Sequence, residues 1–556
     1  MAASSVEFDV PAPMRDGTLL RANVYRPAGE GPWPVLLNRS PYGKDLPGAN
    51  GVLDAVQATR RGYMVAIQDT RGRFASEGQW EPFRGEAEDG YDTVEWAARL
   101  PGANGRVGMY GASYHGSTQW QAAIQQAPAL RAIAPFITWS EPLDGTLARG
   151  GALELGISAP WALLQGLNQL MRRHAGQPAA LGPAIAELVS DFDRLATETY
   201  WNLPAGDFAP VRRHGIGEIS GVAALADPAA ADHMRVAGHH HRVNVPAYNV
   251  GGWYDIFLRG TLDNFTALRR LGVPTKVLIG PWAHVVYANP IGELNFGFGA
   301  QIAFIDLRAD FMSMQLRWFD HWLRDLDTGI MAEPPVRLFV MGINRWRDEP
   351  DWPLARAVRT DFHLRAGGGL TEVPPASDEE PDRFTYDPAD PVLTRGGALL
   401  MTPEFRPGPM DQGAVEARGD VLVYTTEPLA RDLEVTGPVT ARLCAATSAP
   451  STDWVVRLCD VWPDGRSFNL TDGILRVRGE PGVAAEHEID LWATSNVFRA
   501  GHRIRLQVTS SCFPRWDRNL NTGEPPELGT RMQAARQTVF HDSARASRLL
   551  LPVVPD

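Results

Sequence analysis

The chain's 556 residues exceed what one hydrophobic core organises, so two or three domains are expected, and 44% hydrophobic with 21% charged residues is the composition of a soluble globular protein. A net charge of -12, with no stripe rich in Lys or Arg, argues against a nucleic-acid surface. Three cysteines (Cys444, Cys459 and Cys512) cannot form a full disulfide framework, and neither a leader pattern in Met1 to Val10 nor an apolar run near 18 residues occurs, so a cytoplasmic protein without a membrane anchor is expected.

From about residue 5 to 140, short apolar runs alternate with helical patterns, the layout of an α/β domain. Val35-Leu36-Leu37, Met64-Val65-Ala66-Ile67 and Val107-Gly108-Met109-Tyr110 read as strands, and Glu86 to Leu100 as a helix packed on the sheet. The last strand runs into Gly111-Ala112-Ser113-Tyr114-His115-Gly116, and a helix follows through Trp120 and Ala123. A serine on a sharp strand-to-helix turn is how a protein exposes a hydroxyl and activates it, with glycines letting the backbones approach. The common spacing is G-x-S-x-G, whereas here His115 takes the second glycine's place and Gly116 comes one position late. His115 itself is expected to point away from Ser113.

Residues 141–242 lose the strand-like runs and gain alanine, leucine and glycine, with Ala180 to Thr199 reading as helix. Glu154 and Trp161 fall in this block. The run His239-His240-His241 has no supporting ligand spacing and is expected in a solvated loop; no metal is expected. The α/β pattern then resumes with a strand over 245–250, a helix near Thr261 to Leu271 and a strand over 276–279. The block is therefore an insertion, expected to cap the sheet's active edge.

A second shift comes near 350. The segment 366–395, rich in Gly, Pro, Asp and Glu, reads as extended loop or linker. Beyond it, runs at Val421 to Tyr424, Thr440 to Cys444, Val455 to Leu458 and His502 to Thr509 suit a β-sandwich or jelly roll. In the last run Ile504, Leu506 and Val508 share a face opposite Arg503, Arg505 and Gln507. The expected architecture is an α/β-hydrolase core (1–140 and 243–350), a helical cap (141–242) and a C-terminal β domain (351–556), a sandwich or jelly roll.

A serine nucleophile in this layout calls for an acid and then a histidine, each just past a strand's carboxyl end. Strand 245–250 leads into Gly251-Gly252-Trp253-Tyr254-Asp255, and strand 276–279 into Gly280-Pro281-Trp282-Ala283-His284. Ser113, Asp255 and His284 are thus the expected nucleophile, orienting acid and general base. Backbone N–H of Tyr114 and the hydroxyl of Tyr42, in the loop after strand 35–37, are candidate oxyanion donors.

With these residues in place the chain resembles the CocE/NonD acyl esterases, the group of the bacterial cocaine esterases, which is similar to the catalytic region of Xaa-Pro dipeptidyl-peptidases. The resemblance rests on Arg39-Ser40-Pro41-Tyr42-Gly43, on Asp69-Thr70-Arg71-Gly72-Arg73-Phe74-Ala75-Ser76-Glu77-Gly78, on the serine turn, whose late glycine matches the family's G-x-S-Y-x-G, on Gly252-Trp253-Tyr254-Asp255, and on Gly280 to His284. It implies a C-terminal jelly roll, the triad Ser113, Asp255, His284, oxyanion donors at Tyr42 and Tyr114, no cofactor, and a loop Asp69 to Gly78 that braces the site by ion pairs. Because Asp255 is followed by Ile256-Phe257-Leu258, an apolar, uncharged acyl group of a small ester or amide is expected, with Trp161 and Phe257 lining its pocket. The alternative is a Xaa-Pro dipeptidyl-peptidase-like or α-amino acid ester hydrolase, favoured if a cap carboxylate such as Glu154 faces the pocket. The sequence leaves a homo-oligomer open.

Overall fold

The computed structural model describes residues 4–46, 52–216, 221–307, 309–526 and 528–555. The chain begins with an antiparallel pair, β1 (Ser5–Pro13) and β2 (Leu19–Arg26), then lays down β3 (Trp33–Ser40), α1 (Ala55–Arg60), β4 (Met64–Asp69), α2 (Glu86–Ala98), β5 (Ala103–Ala112), α3 (Tyr114–Ile124) and β6 (Leu130–Phe136). An excursion follows: a short hairpin, β7 (Ala148–Arg149) with β8 (Ala152–Leu153), then α4 (Leu155–Arg173), α5 (Pro178–Asp193), α6 (Ala209–His214) and α7 (Val222–Ala226). The sheet resumes with β9 (Ala247–Tyr254), α8 (Leu258–Arg270), β10 (Thr275–Ala283), α9 (Phe311–Arg324), β11 (Val336–Val340) and β12 (Arg345–Glu349).

These strands form one ten-stranded mixed sheet in the order β1-β2-β4-β3-β5-β6-β9-β10-β11-β12. It is parallel from β4 to β11 and antiparallel at both edges. Central strands are buried on both faces, which is why they read as continuous apolar runs. Leu36, Val65 and Ile67 pack with Phe319 and Leu323 of α9, whereas Val35, Leu37, Met64 and Ala66 pack with Val94 of α2 and Trp120 of α3. All three of Ser113, Asp255 and His284 consequently lie at the same carboxyl edge of the parallel strands, where ligands bind in open α/β sheets.

The remainder, from β13 (Val358–Arg365), through β14 (Gly369–Thr371), β15 (Asp382–Tyr386), α10 (Gly413–Glu416), β16 (Leu422–Thr425), β17 (Leu433–Thr447), β18 (Ser451–Val461), β19 (Ser467–Arg478), β20 (Ala485–Phe498), β21 (Arg503–Thr509) and β22 (Ala535–Phe540) to β23 (Arg548–Val554), is a second, eleven-stranded sheet system. Ile504, Leu506 and Val508 are buried as the alternation predicts, but Gln507 is buried too, its amide donating to Glu416 Oε1 at 2.9 Å. Segment 366–395 is not a free linker. It contributes β14 to the sheet beside β13 and β15 beside β22, because Phe384 and Tyr386 bury their rings despite the turn residues around them. Among the described residues no helix is long and apolar enough to cross a membrane.

Candidate active site

Ser113 sits between β5 and α3 with φ 61° and ψ -119°, a strained conformation for a side-chain-bearing residue. Neighbouring chain leaves no choice but glycine at the two flanking positions. A Cβ at Gly111 would lie 2.5 Å from His115 Cβ, and one at Gly116 would lie 2.7 Å from Thr138 Cβ. The late glycine therefore answers to Thr138, whose hydroxyl donates to the Ser113 carbonyl at 2.9 Å. His115 turns away from Ser113, as expected: its Nε2 lies 3.1 Å from Ser40 Oγ, and burial pushes its pKa down to about 4.

His284 follows β10, and its Nε2 stands 3.1 Å from Ser113 Oγ. On its other side Nδ1 lies 2.7 Å from Asp255 Oδ2, just past β9. Asp255 Oδ1 accepts from the Phe257 backbone N–H at 2.7 Å, so the carboxylate is held at both oxygens. A carboxylate only accepts, so Nδ1 carries the proton and the Nε2 lone pair faces the serine hydroxyl. Asp255 is wholly buried and His284 nearly so. A chain of this geometry can take the serine proton as the oxygen attacks a carbonyl carbon.

Tyr42 stands on the loop after β3 and lines the same cavity as Ser113, its hydroxyl accepting from Trp161 Nε1 at 3.1 Å. Burial raises its pKa to about 12. Tyr114 opens α3, so its backbone N–H belongs to the first helical turn, where N–H groups lack intrahelical partners. Its side chain points elsewhere, the hydroxyl donating to Glu86 Oε1 at 2.7 Å and accepting from the Phe83 N–H at 3.1 Å. Glu86 in turn receives Arg39 Nη1 at 2.6 Å.

The loop Asp69 to Gly78 braces the site in two ways. Asp69 accepts from the Lys44 backbone N–H at 2.7 Å and pairs with its ammonium at 3.3 Å, and Arg71 grips Asp89 at 2.6 Å. Arg73, expected in an ion pair, instead donates to three oxygens that carry no charge: Pro41 O at 2.7 Å, Gln165 Oε1 at 2.9 Å and Gln165 O at 3.1 Å. It lies over the Trp80 ring, and burial lowers its pKa to about 10.

A cavity of about 40 Å³ opens beside Ser113, with Trp161 and Phe257 in its wall. Phe83, Trp139, Leu147, Ile157, Ile256 and Leu400 complete the apolar lining. Trp139 was within reach of sequence reasoning, because it lies just past the end of β6 and the strand-end rule that selects Asp255 and His284 applies to it equally. Leu400, from the C-terminal domain, gave no such signal. Glu154 is not among the residues lining this cavity; it is buried between β8 and α4, accepting from Trp516 Nε1 at 2.9 Å. His240, expected in solvent, is buried against Trp120 with Nε2 2.8 Å from Asn264 Oδ1. The Asn264 amide of α8 gives the buried imidazole its polar partner.

The model of the X-Pro dipeptidyl-peptidase (S15 family) matches residues 16–286, and that of the X-Pro dipeptidyl-peptidase C-terminal non-catalytic domain matches residues 328–550. A cocaine esterase from Rhodococcus sp. (strain MB1 Bresler) is 36% identical over 99% of each chain. Among solved structures, an aminopeptidase from the marine sediment archaeon Thaumarchaeota archaeon is 26% identical, with a TM-score of 0.79 over 99% of this chain and 96% of its own. An α-amino acid ester hydrolase shares the fold, with a TM-score of 0.78 over 99% of this chain and 96% of its own at 24% identity. Fold, site and relatives together define a serine carboxylic ester hydrolase with a catalytic domain and a C-terminal non-catalytic domain. The chain belongs to the CocE/NonD family of acyl esterases.

Proposed function

We propose that this chain hydrolyses small neutral esters with a short apolar acyl group through an acyl-enzyme on Ser113. In this reading Ser113 Oγ attacks the ester carbonyl carbon, its proton passes to His284 Nε2, and the carbonyl π electrons move onto oxygen. Asp255 holds the imidazole in the required tautomer and stabilises its cation. Tyr42 hydroxyl and Tyr114 N–H donate to the oxyanion. Collapse breaks the ester C–O bond, His284 protonates the leaving alkoxide, and water repeats the sequence on the acyl-serine, releasing the acid.

The observation that carries the reading is the continuous hydrogen-bond path from Ser113 Oγ through His284 to Asp255. The short acyl group follows from the cavity: about 40 Å³ is room for a few small groups, when one water needs roughly 10–15 Å³. Neutrality is supported by its lining, in which no carboxylate stands among the described residues to meet an amine. The ten-stranded sheet serves as an α/β-hydrolase core over 1–140 and 243–350, with 141–242 as a helical cap and 351–556 as a jelly roll. Cys444, Cys459 and Cys512 are free thiols, which supports a cytoplasmic setting.

The test is hydrolysis of a p-nitrophenyl ester series by the wild type and by Ser113→Ala. Acetate and propionate esters should turn over faster than octanoate or α-aminoacyl esters, and Ser113→Ala should lose at least about 10³-fold in kcat. Equal rates for the two proteins would end the proposal.

A further inference from the structure

Trp161 does more than furnish an apolar surface. Its indole nitrogen can only donate, and it donates to Tyr42 Oη at 3.1 Å. A phenol oxygen has one proton to give. With one lone pair already occupied by the indole N–H, rotation of that proton toward Trp161 is disfavoured, and the side facing the cavity that Tyr42 shares with Ser113 remains. Accepting one hydrogen bond also strengthens the bond a hydroxyl donates.

The two rings are carried by different elements. Tyr42 is fixed from the core: its N–H donates to Ser40 Oγ at 3.1 Å, Arg73 holds the preceding carbonyl, and the ring meets His115 edge-on with centroids 5.3 Å apart. Trp161 is fixed from α4, stacked at 14° on Phe83 and at 13° over Tyr114. The helical insertion thus reaches over the sheet edge and meets the Tyr42 hydroxyl through the Trp161 N–H.

We propose that Trp161 is a positioning residue for the oxyanion site, its indole N–H aiming the Tyr42 hydroxyl proton at the oxygen that gains charge. The proposal rests on the reading of Ser113 as nucleophile and Tyr42 as oxyanion donor. It makes the oxyanion site a joint product of core and cap. Because the N–H acts only through the Tyr42 hydroxyl, it has nothing to act on once that hydroxyl is gone.

Trp161→Phe, which keeps an aromatic ring and removes the N–H, is therefore tested in two backgrounds with p-nitrophenyl acetate. With Tyr42 present, kcat should fall about 3–10-fold, the scale of one neutral hydrogen bond, while KM moves less than about 2-fold. With Tyr42→Phe already in place, the same change should alter kcat by less than about 1.5-fold. Equal losses in both backgrounds, or a loss confined to KM, would mean that Trp161 only packs, and would overturn the proposal while leaving the Ser113 mechanism intact. Loss of turnover dependence on Ser113 would instead remove the reading beneath it. Should Trp161→Phe fold poorly, benzothienylalanine at 161, which replaces N–H by sulfur at nearly constant shape, gives the same comparison.

Discussion

At the residue scale, a tyrosine hydroxyl serves as an oxyanion donor only while it keeps its proton. Burial lifts the Tyr42 pKa to about 12, so its phenol proton persists across the pH range in which an imidazole base works. Tyr42→Phe should lower kcat by about 10²–10³-fold, the usual effect of removing one such donor, with KM little changed. Steady-state kinetics on p-nitrophenyl acetate checks this, and an unchanged kcat would take Tyr42 out of the mechanism. The convergence of Ser113, Asp255 and His284 was legible in the sequence because each is announced by its own strand and by chain order. The role of Trp161 was not: the sequence places it in the insertion, but only tertiary packing brings its N–H to Tyr42. Arg73 was misread for a related reason, since an arginine's partner can be a carbonyl as well as an acid, and carbonyls leave no mark on a sequence.

At the element scale, α4 carries Ile157, Ser158 and Trp161 to the cavity although Pro160 interrupts its ladder. Proline has no N–H, so the Gly156 carbonyl loses its helical partner. The Tyr200 hydroxyl, from the chain past α5, is turned to that carbonyl at 3.4 Å. Tyr200→Phe leaves a buried carbonyl without a donor and should cost about 1–3 kcal/mol, read as a lower urea midpoint at unchanged m-value. Loss of the hydroxyl with no shift in midpoint would show that this carbonyl has another partner. The insertion itself was visible as a change in composition, yet α4 and the hairpin before it were not, because Gly150, Gly151 and Pro160 break the local patterns on which strand and helix assignments depend. Segment 366–395 was misread in the same way: its turn residues are real, but β14 and β15 are short enough to fit between them.

At the scale of the whole molecule, the insertion is clamped to the C-terminal domain. Leu153 N–H donates to Asp517 Oδ1 at 2.6 Å, Gly156 N–H donates to Arg515 O at 2.9 Å, and Trp492 Nε1 donates to Asp144 at 3.0 Å. Glu154 lies at the centre of this contact, and burial raises its pKa to about 7 against the opposing pull of Arg515, the Trp516 N–H and Arg149. A folded-state value above the unfolded 4.5 means that the folded protein holds the extra proton between the two. The associated stability is complete below pH 4.5 and is lost as pH rises through 7. Glu154→Gln, which cannot ionise, should therefore match the wild type near pH 5 and exceed it by about 3 kcal/mol near pH 8, measured by denaturant unfolding. A difference independent of pH would place the Glu154 proton elsewhere. Leu400 shows the same joining of parts at the cavity, where core, insertion and C-terminal domain each supply a wall.

The central claim is that one serine becomes a nucleophile here. Treating the native protein with a fluorophosphonate and mapping the adduct by peptide mass spectrometry tests it most directly. A single phosphonyl group should appear on the peptide containing Ser113, and labelling should vanish in Ser113→Ala and fall sharply in His284→Ala. An adduct on another residue, or undiminished labelling of the Ser113→Ala protein, would contradict the account.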